Sequence, residues 1–379
     1  MKIGLLGFGV VGRGVYDILA ERKDISVGTV LCRRDLGELT ARTTRDMADI
    51  IADPEIDTVV EVMGGLHPAF EYVSAALKAG KNVVTSNKHL LCHYYQELNQ
   101  LAKEHGAVLR GTAAVGGGIP WLVNLERAAR ANAISKVSGI MNGTTNYIMD
   151  AMHKSDADFA DVLHRAQALG YAEADPSADI DGWDIQRKLI ISAGVAFGVC
   201  LQEDDVPVFG IRNVAAEDIR RFQARGRTCK LIASAERLEN SVAAYVEPTL
   251  LTADALEAAV PANFNLISME GKFMGRESFF GQGAGRYPTA YNVVQDLEDI
   301  AAGEQGFYTD KFADAVTNNA GCLHRYYVRT AAKLPALEAA RDEDWDGAVI
   351  TMPMSVAQMH ALSKSMLEAD PKSFFAALG

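Results

Sequence analysis

The chain is poor in the residues that mark several common kinds of protein. Its five cysteines (Cys32, Cys92, Cys200, Cys229, Cys322) are odd in number and scattered, with no C-x-x-C pair. That argues against a disulfide framework or a cysteine-built zinc site and fits reduced thiols. No apolar run approaches the roughly 18–20 residues needed to cross a bilayer, so no membrane partner is expected. Positive charge is in deficit, with 37 Lys and Arg against 49 Asp and Glu and a formal net charge of −12. Nucleic acid and anionic membranes need clustered cations, so neither is an expected partner, and an anionic ligand needs a local positive site. The opening MKIGLLGFG has no basic leader region and no cleavage site, which predicts a cytoplasmic protein. His89 and His93 supply only half of a metal site, with no third ligand in the pattern, and no metal is expected.

What is present is an ordinary globular composition, 49% hydrophobic in 379 residues, enough for two or three domains. Short apolar runs (KIGLLGF, SVGTVLC, DTVVEVM, NVVTSN, AVLRGTAAV, KVSGIMNG) alternate with amphipathic ones such as VGRGVYDILAER and YYQELNQLAKEHG. This rhythm predicts an α/β fold, a Rossmann-type doubly wound parallel sheet with helices on both faces. After about residue 150 the rhythm changes, and a second, α+β domain for substrate and assembly is expected. The expected boundaries are 1–130 for the dinucleotide domain, with 286–305 returning to it, 131–285 for the second domain, and 324–379 for a short tail.

GFGVVG supplies Gly7, Phe8, Gly9, Val10, Val11 and Gly12 in G-x-G-x-x-G spacing, directly after a strand and at a helix start. The glycines permit a tight turn and a close backbone approach to a pyrophosphate at the positive helix N-terminus. At the end of the second strand stand Arg33, Arg34 and Asp35. Arginine pairs with a 2′-phosphate and an acid with a 2′-hydroxyl, so the two arginines favour NADP, with NAD possible. In DIDGWDIQRKL, Asp184 and Lys188 lie four apart and share a helix face. They read either as a surface ion pair or as a catalytic lysine held by a carboxylate.

EVMGG, GKNVVTSNKHLL, AAVGGGIP, GIMNGTTNYI, GYAEADPSADIDGWDIQRKL and GAGRYPTA occur in that order, and the chain through about residue 302 resembles homoserine dehydrogenase. The resemblance implies NAD(P)-dependent interconversion of L-homoserine and L-aspartate 4-semialdehyde, a small-molecule substrate and a homodimer or higher homo-oligomer. It implies catalytic roles for Lys188 as proton donor, for Asp184 beside it, and for Lys88 near the nicotinamide. It implies homoserine contacts at Glu173, Asp179, Gly143 and Thr144. Met63, Gly64, Gly65, Ser86, Asn87, Lys88, Gly116 and Gly285 join the glycine loop and Arg33 and Arg34 as expected cofactor neighbours. Asn87 and Thr144 also read as helix caps.

The family has a glutamate at the start of E-A-x-V-x-G-G-I-P, where it helps hold a monovalent cation beside carbonyls that match Val115, Gly117 and Ile119. This chain has Thr112 there. Its tail resembles an ACT domain from which a helix–strand unit is missing, so weak or absent threonine feedback is expected. Alternatives are a dehydrogenase for another amino-acid semialdehyde, or a catalytically silent NAD(P)-binding regulator.

Overall fold

A computed structural model describes every residue except Glu38 and 305–311. The first elements are β1 (Lys2–Leu6), α1 (Val10–Ala20), β2 (Ser26–Leu31), β3 (Arg42–Thr44), α2 (Met47–Ala52) and β4 (Thr58–Glu61). There follow α3 (Ala69–Lys78), β5 (Asn82–Thr85), α4 (Lys88–Glu104), β6 (Leu109–Arg110) and α5 (Trp121–Ala131). The middle of the chain forms β7 (Ile134–Ile140), α6 (Gly143–Ser155), α7 (Phe159–Ala168), α8 (Ser177–Ile180), α9 (Trp183–Phe197) and β8 (Val199–Cys200). Then come α10 (Ala216–Gln223), β9 (Thr228–Arg237), β10 (Val242–Leu251), β11 (Phe264–Gly271), β12 (Gly275–Gln282), α11 (Arg286–Ala301) and β13 (Ala313–Asp314). The last elements are β14 (Leu323–Arg329), α12 (Pro335–Ala339), β15 (Arg341–Trp345), β16 (Ala348–Thr351), β17 (Met354–Ser355), α13 (Val356–Ala369) and β18 (Phe374–Leu378).

These elements form two compact units. The first comprises Met1–Ala131, Ile191–Cys200 and Gly281–Ala313. Its sheet has the order β3-β2-β1-β4-β5-β6, and every pairing is parallel. That is the Rossmann-type sheet the alternating pattern predicts. Strands β1, β4, β5 and β6 are buried on both faces, as in β4, where all of TVVE is buried, which is why they read as continuous apolar runs. The order reverses between β1 and β4, and in such sheets ligands bind beyond the strand ends at that reversal. Ile3, Leu5, Val15, Val60 and Val84 make the core with Ala290, Val293 and Leu297 of α11. The return segment expected over 286–305 thus contains α11, and residue 305 lies outside the described residues.

The C-terminal part of α9 belongs to this unit although 131–285 was expected as one block. The helix runs on unbroken past Ile190, with its one glycine, Gly194, near its end. Its apolar end is tied in by Trp121, whose Nε1 donates to Ser192 Oγ at 2.9 Å.

The second unit comprises Asn132–Ile190, Leu201–Phe280 and Asp314–Gly379. Its sheet has the order β12-β11-β7-β9-β10-β18-β14-β16-β15. β7, β9, β10 and β11 pair antiparallel, whereas β18 pairs parallel with β10. The tail is therefore part of this sheet and not an appendage beside it.

The helix–strand unit expected to be missing from the tail is present as α12 and β15. β14, α12, β15, β16, α13 and β18 give a complete βαββαβ order. The expectation of weak threonine feedback, drawn from a missing unit, loses its basis. The sequence pattern hides this unit for a physical reason. α12 is five residues long, and β15 reads RDEDW, an exposed strand at the end of the sheet whose charges guard a free edge.

Candidate functional site

In the first unit the crevice begins where β1 ends. Gly7 has φ +97°, and a Cβ on Gly12 would lie 2.2 Å from the Gly7 carbonyl oxygen, so both positions require glycine. Gly9 caps α1, and the first backbone N–H groups of a helix suit an anion. Beside the loop opens a cleft of about 430 Å³ lined by Phe8, Gly9, Val10, Asp35 and three guanidinium groups, Arg13, Arg34 and Arg286. Arg34 was expected there. Arg33 is exposed and does not line the cleft.

Arg13 and Arg286 escaped the sequence reading. Arg13 directly follows the glycine motif on the first turn of α1, which is a usable signal. Arg286 starts α11, far along the chain, and has no local signal. The three cations suit a phosphate-rich ligand despite the chain's net negative charge.

The neighbouring loops are organised by a residue the sequence reading also missed. Glu61, at the end of β4, is fully buried. Its Oε1 accepts hydrogen bonds from the backbone N of Met63 (2.7 Å) and Gly64 (3.2 Å), and its Oε2 accepts one from Thr85 Oγ1 (2.6 Å). Burial pushes the Glu61 pKa up, while these donors act the other way. Asn87 Nδ2 donates to Gly65 O at 2.7 Å, and Asn87 Oδ1 caps α4 at Leu90 N. Asn87 is thus a cap, and it also ties Ser86 and Lys88, which begins α4, to the Met63–Gly65 turn.

Glu61→Ala removes the carboxylate acceptor of two part-buried N–H groups and loosens the turn they hold. It is expected to weaken cofactor binding roughly tenfold, the equivalent of about 1.4 kcal/mol. Titration of bound reduced cofactor by fluorescence checks this. Elsewhere in this unit, Gly116 lies in the turn before α5 and Gly285 caps α11.

The second unit holds the lysine. Lys188 and Asp184, on the first two turns of α9, are 7% and 6% exposed, so they are not a surface pair. Lys188 Nζ donates to Asp184 Oδ2 and to the Met141 carbonyl, both at 2.7 Å. Asn142, another residue the sequence reading missed, joins two acids: its Nδ2 donates to Asp184 Oδ2 (2.8 Å) and Asp179 Oδ1 (2.7 Å). Its Oδ1 meanwhile caps α6 at Thr145 N. The N-G-T-T pattern signals such a cap but not the bridge. Asp179 has its pKa raised, chiefly by burial and then by the Asp184 carboxylate, against the pull of Asn142.

Buried Lys188, Asp184 and Asn142 therefore form one network with the half-buried Asp179. Thr144 Oγ1 donates to the Tyr171 carbonyl at 2.6 Å, which ties Gly143 and the start of α6 to the turn that carries Glu173. The Glu173 residue is exposed on that turn.

A glycine loop at the sheet reversal, a cationic cleft and a buried lysine held by carboxylates are the equipment of a nicotinamide-dependent dehydrogenase. The homoserine dehydrogenase family profile matches residues 120–297, and that of the homoserine dehydrogenase NAD binding domain matches residues 7–110. Homoserine dehydrogenase of Bacillus subtilis (strain 168) is 39% identical over 311 residues, 78% of this chain and 72% of that protein. The crystal structure of a homoserine dehydrogenase from Thiobacillus denitrificans covers 100% of this chain and 98% of its own, with TM-score 0.90 and 33% identity. A hyperthermophilic archaeal homoserine dehydrogenase in complex with NADPH covers 80% of this chain and 98% of its own, at TM-score 0.68 and 25% identity. The chain belongs to the homoserine dehydrogenase family.

Proposed function

We propose that the chain interconverts L-homoserine and L-aspartate 4-semialdehyde, with NADP as its preferred cofactor and Lys188 as proton donor and acceptor. The observation that carries this reading is the Lys188–Asp184–Asn142–Asp179 network, with the lysine itself buried. When bound, the nicotinamide supplies or takes up the hydride at the substrate's C4. Reduction builds negative charge on the aldehyde oxygen, and the Lys188 ammonium stabilises that charge and gives it a proton. In the other direction Lys188 receives the proton of the hydroxyl.

Asp184 and the Met141 carbonyl fix the direction of Nζ, so that little orientation remains to be lost in the reaction. Asp179 and Glu173 meet the substrate's ammonium, and Gly143 and Thr144 shape the wall beside it. Lys88 serves at the nicotinamide side of the reaction. Met63, Gly64, Gly65, Ser86, Asn87, Gly116 and Gly285 supply backbone and side-chain contacts to the cofactor.

The preference for NADP rests on Arg34, together with Arg13 and Arg286 in the same cleft. An arginine matches a 2′-phosphate by a charged, forked pair of hydrogen bonds. Arg34→Ala is expected to raise KM for NADP by roughly 10–100-fold, from the loss of about 1.5–3 kcal/mol, and to leave KM for NAD within about twofold. Initial rates with each cofactor check this, and equal losses for both would remove the 2′-phosphate assignment.

The same reading extends to cytoplasmic synthesis of threonine, methionine and isoleucine. It also extends to a homodimer assembled through the second unit. Support for the dimer comes from β12, which ends the sheet and presents a mostly exposed face that includes Phe280.

A further inference from the structure

The segment 112–119 is where the chain departs from its family's pattern, with Thr112 in place of a cation-holding glutamate. At two of the three carbonyls that would share the cation stands Asn292, on the second turn of α11 and 1% exposed. Its Nδ2 donates to Gly117 O at 2.6 Å and to Ile119 O at 3.0 Å. Both partners are acceptors only, so the amide nitrogen is the end of the side chain that fits them. Ile119 O also accepts from the backbone N of Trp121 at 2.7 Å, which uses both of its lone pairs.

Thr112 is turned to another task. Its backbone N donates to Asp296 Oδ2 at 2.8 Å and its Oγ1 to Asp296 Oδ1 at 2.7 Å. Asp296 lies one turn beyond Asn292 and is 1% exposed, and Arg110 Nε donates to the same Oδ1 at 3.1 Å. This carboxylate is thus paired with a guanidinium, which Asp299 shares. A monovalent cation needs converging oxygens with lone pairs to spare and, for tight binding, an anion among them. The 112–119 segment offers a hydroxyl bonded to Asp296 where the anion would stand, and two of the three carbonyls, those of Gly117 and Ile119, are already held by N–H donors. The residues present do not fit the cation.

We propose that Asn292 replaces the cation with a neutral, built-in donor, so that this enzyme needs neither sodium nor potassium. Asn292 is a positioning residue. By gathering the Gly117 and Ile119 carbonyls it fixes a turn that packs tightly on backbone: a Cβ at Gly117, with φ +55°, would come within 2.5 Å of Gly283 O. Gly118 N further donates to Gln282 O at 3.0 Å. The Gly283–Arg286 stretch leads into Gly285 and Arg286, so the turn held by Asn292 supports the α11 end of the cofactor cleft.

The test compares chloride salts of sodium, potassium and choline at equal ionic strength, reading both melting temperature and initial rate. The wild type is expected to give the same values in all three. A saturable rise of several-fold in rate, or of several degrees in melting temperature, with sodium or potassium would overturn the proposal.

Asn292→Ala uncovers the carbonyls and is expected to melt lower, with recovery in sodium or potassium and none in choline. An equal loss in all three salts would make Asn292 a packing group only and would also overturn the claim. Should that variant fail to fold, Asn292→Asp sets a carboxylate among the same carbonyls at nearly the same volume. It is expected to acquire saturable stabilisation by sodium or potassium, and its absence would count against the proposal. The rate arm rests on the reaction proposed above, whereas the melting arm does not. No turnover in any salt would count against the reaction, and the melting curves would still decide the role of Asn292.

Discussion

Lys188→Ala is expected to lower kcat by roughly three orders of magnitude, within the 10²–10⁴-fold range for a positioned proton donor. That corresponds to about 4 kcal/mol of lost transition-state stabilisation. Two effects must be kept apart in reading the result. Removing one partner of a buried ion pair leaves the other uncompensated, at a cost of about 3–5 kcal/mol in stability. Lys188→Met fills most of the lost volume but restores no donor, so it is expected to be as inactive as the alanine variant and better packed.

Cofactor affinity separates folding from chemistry, because the glycine loop and the cationic cleft are built within the first unit. Both variants are expected to bind reduced cofactor within about twofold of wild type. A variant that binds cofactor normally and turns over normally would remove Lys188 from the mechanism.

Asp179→Asn has the next largest expected effect, a rise of roughly 10²-fold in KM for homoserine with a smaller change in kcat. In the function proposed above the charge on Asp179 neutralises the substrate's ammonium, and a hydrogen bond to a charged group contributes about 1.5–3 kcal/mol. The raised pKa gives this prediction a pH signature. Asp179 binds an ammonium only when ionised. Homoserine affinity in the wild type is therefore expected to fall as pH drops through a value above that of free aspartate, and to be flat above it. In Asp179→Asn that titration disappears.

Stability moves the opposite way. A carboxyl group whose pKa is raised on folding favours the native state below its unfolded pKa, and that contribution is lost as pH rises through the folded value. Asparagine avoids the cost of ionisation, so Asp179→Asn is expected to melt higher than wild type near neutral pH. A site that gains stability when its charge is removed is one where charge is kept for binding. Melting curves and KM values measured across the same pH series check both halves.

The sequence made the first unit legible because its signals are local. A buried parallel strand reads as an apolar run, and the glycine spacing follows from a turn in which a Cβ at Gly12 would meet Gly7. The pairing of Asp184 with Lys188 was equally legible, since four residues on a helix put both on one face. What was missed depends on contacts between distant segments or on exposed elements. Arg286 joins Arg13 and Arg34 only through the fold. Glu61 looks like the end of an apolar strand, and nothing nearby announces that it receives two backbone N–H groups and Thr85. Asn142 carries a cap signal that masks its bridge between two acids. In the tail, α12 is too short to show a helical period, and β15 carries charges where an interior strand would carry apolar residues.

The most direct test of the account is absorbance at the reduced-nicotinamide band, with purified protein, L-homoserine and either NADP or NAD, and Lys188→Met alongside. The account predicts cofactor reduction that requires L-homoserine, proceeds at lower KM with NADP, and collapses in the variant. Tight cofactor binding with no reduction on adding L-homoserine, or on adding L-aspartate 4-semialdehyde to the reduced cofactor, would contradict it.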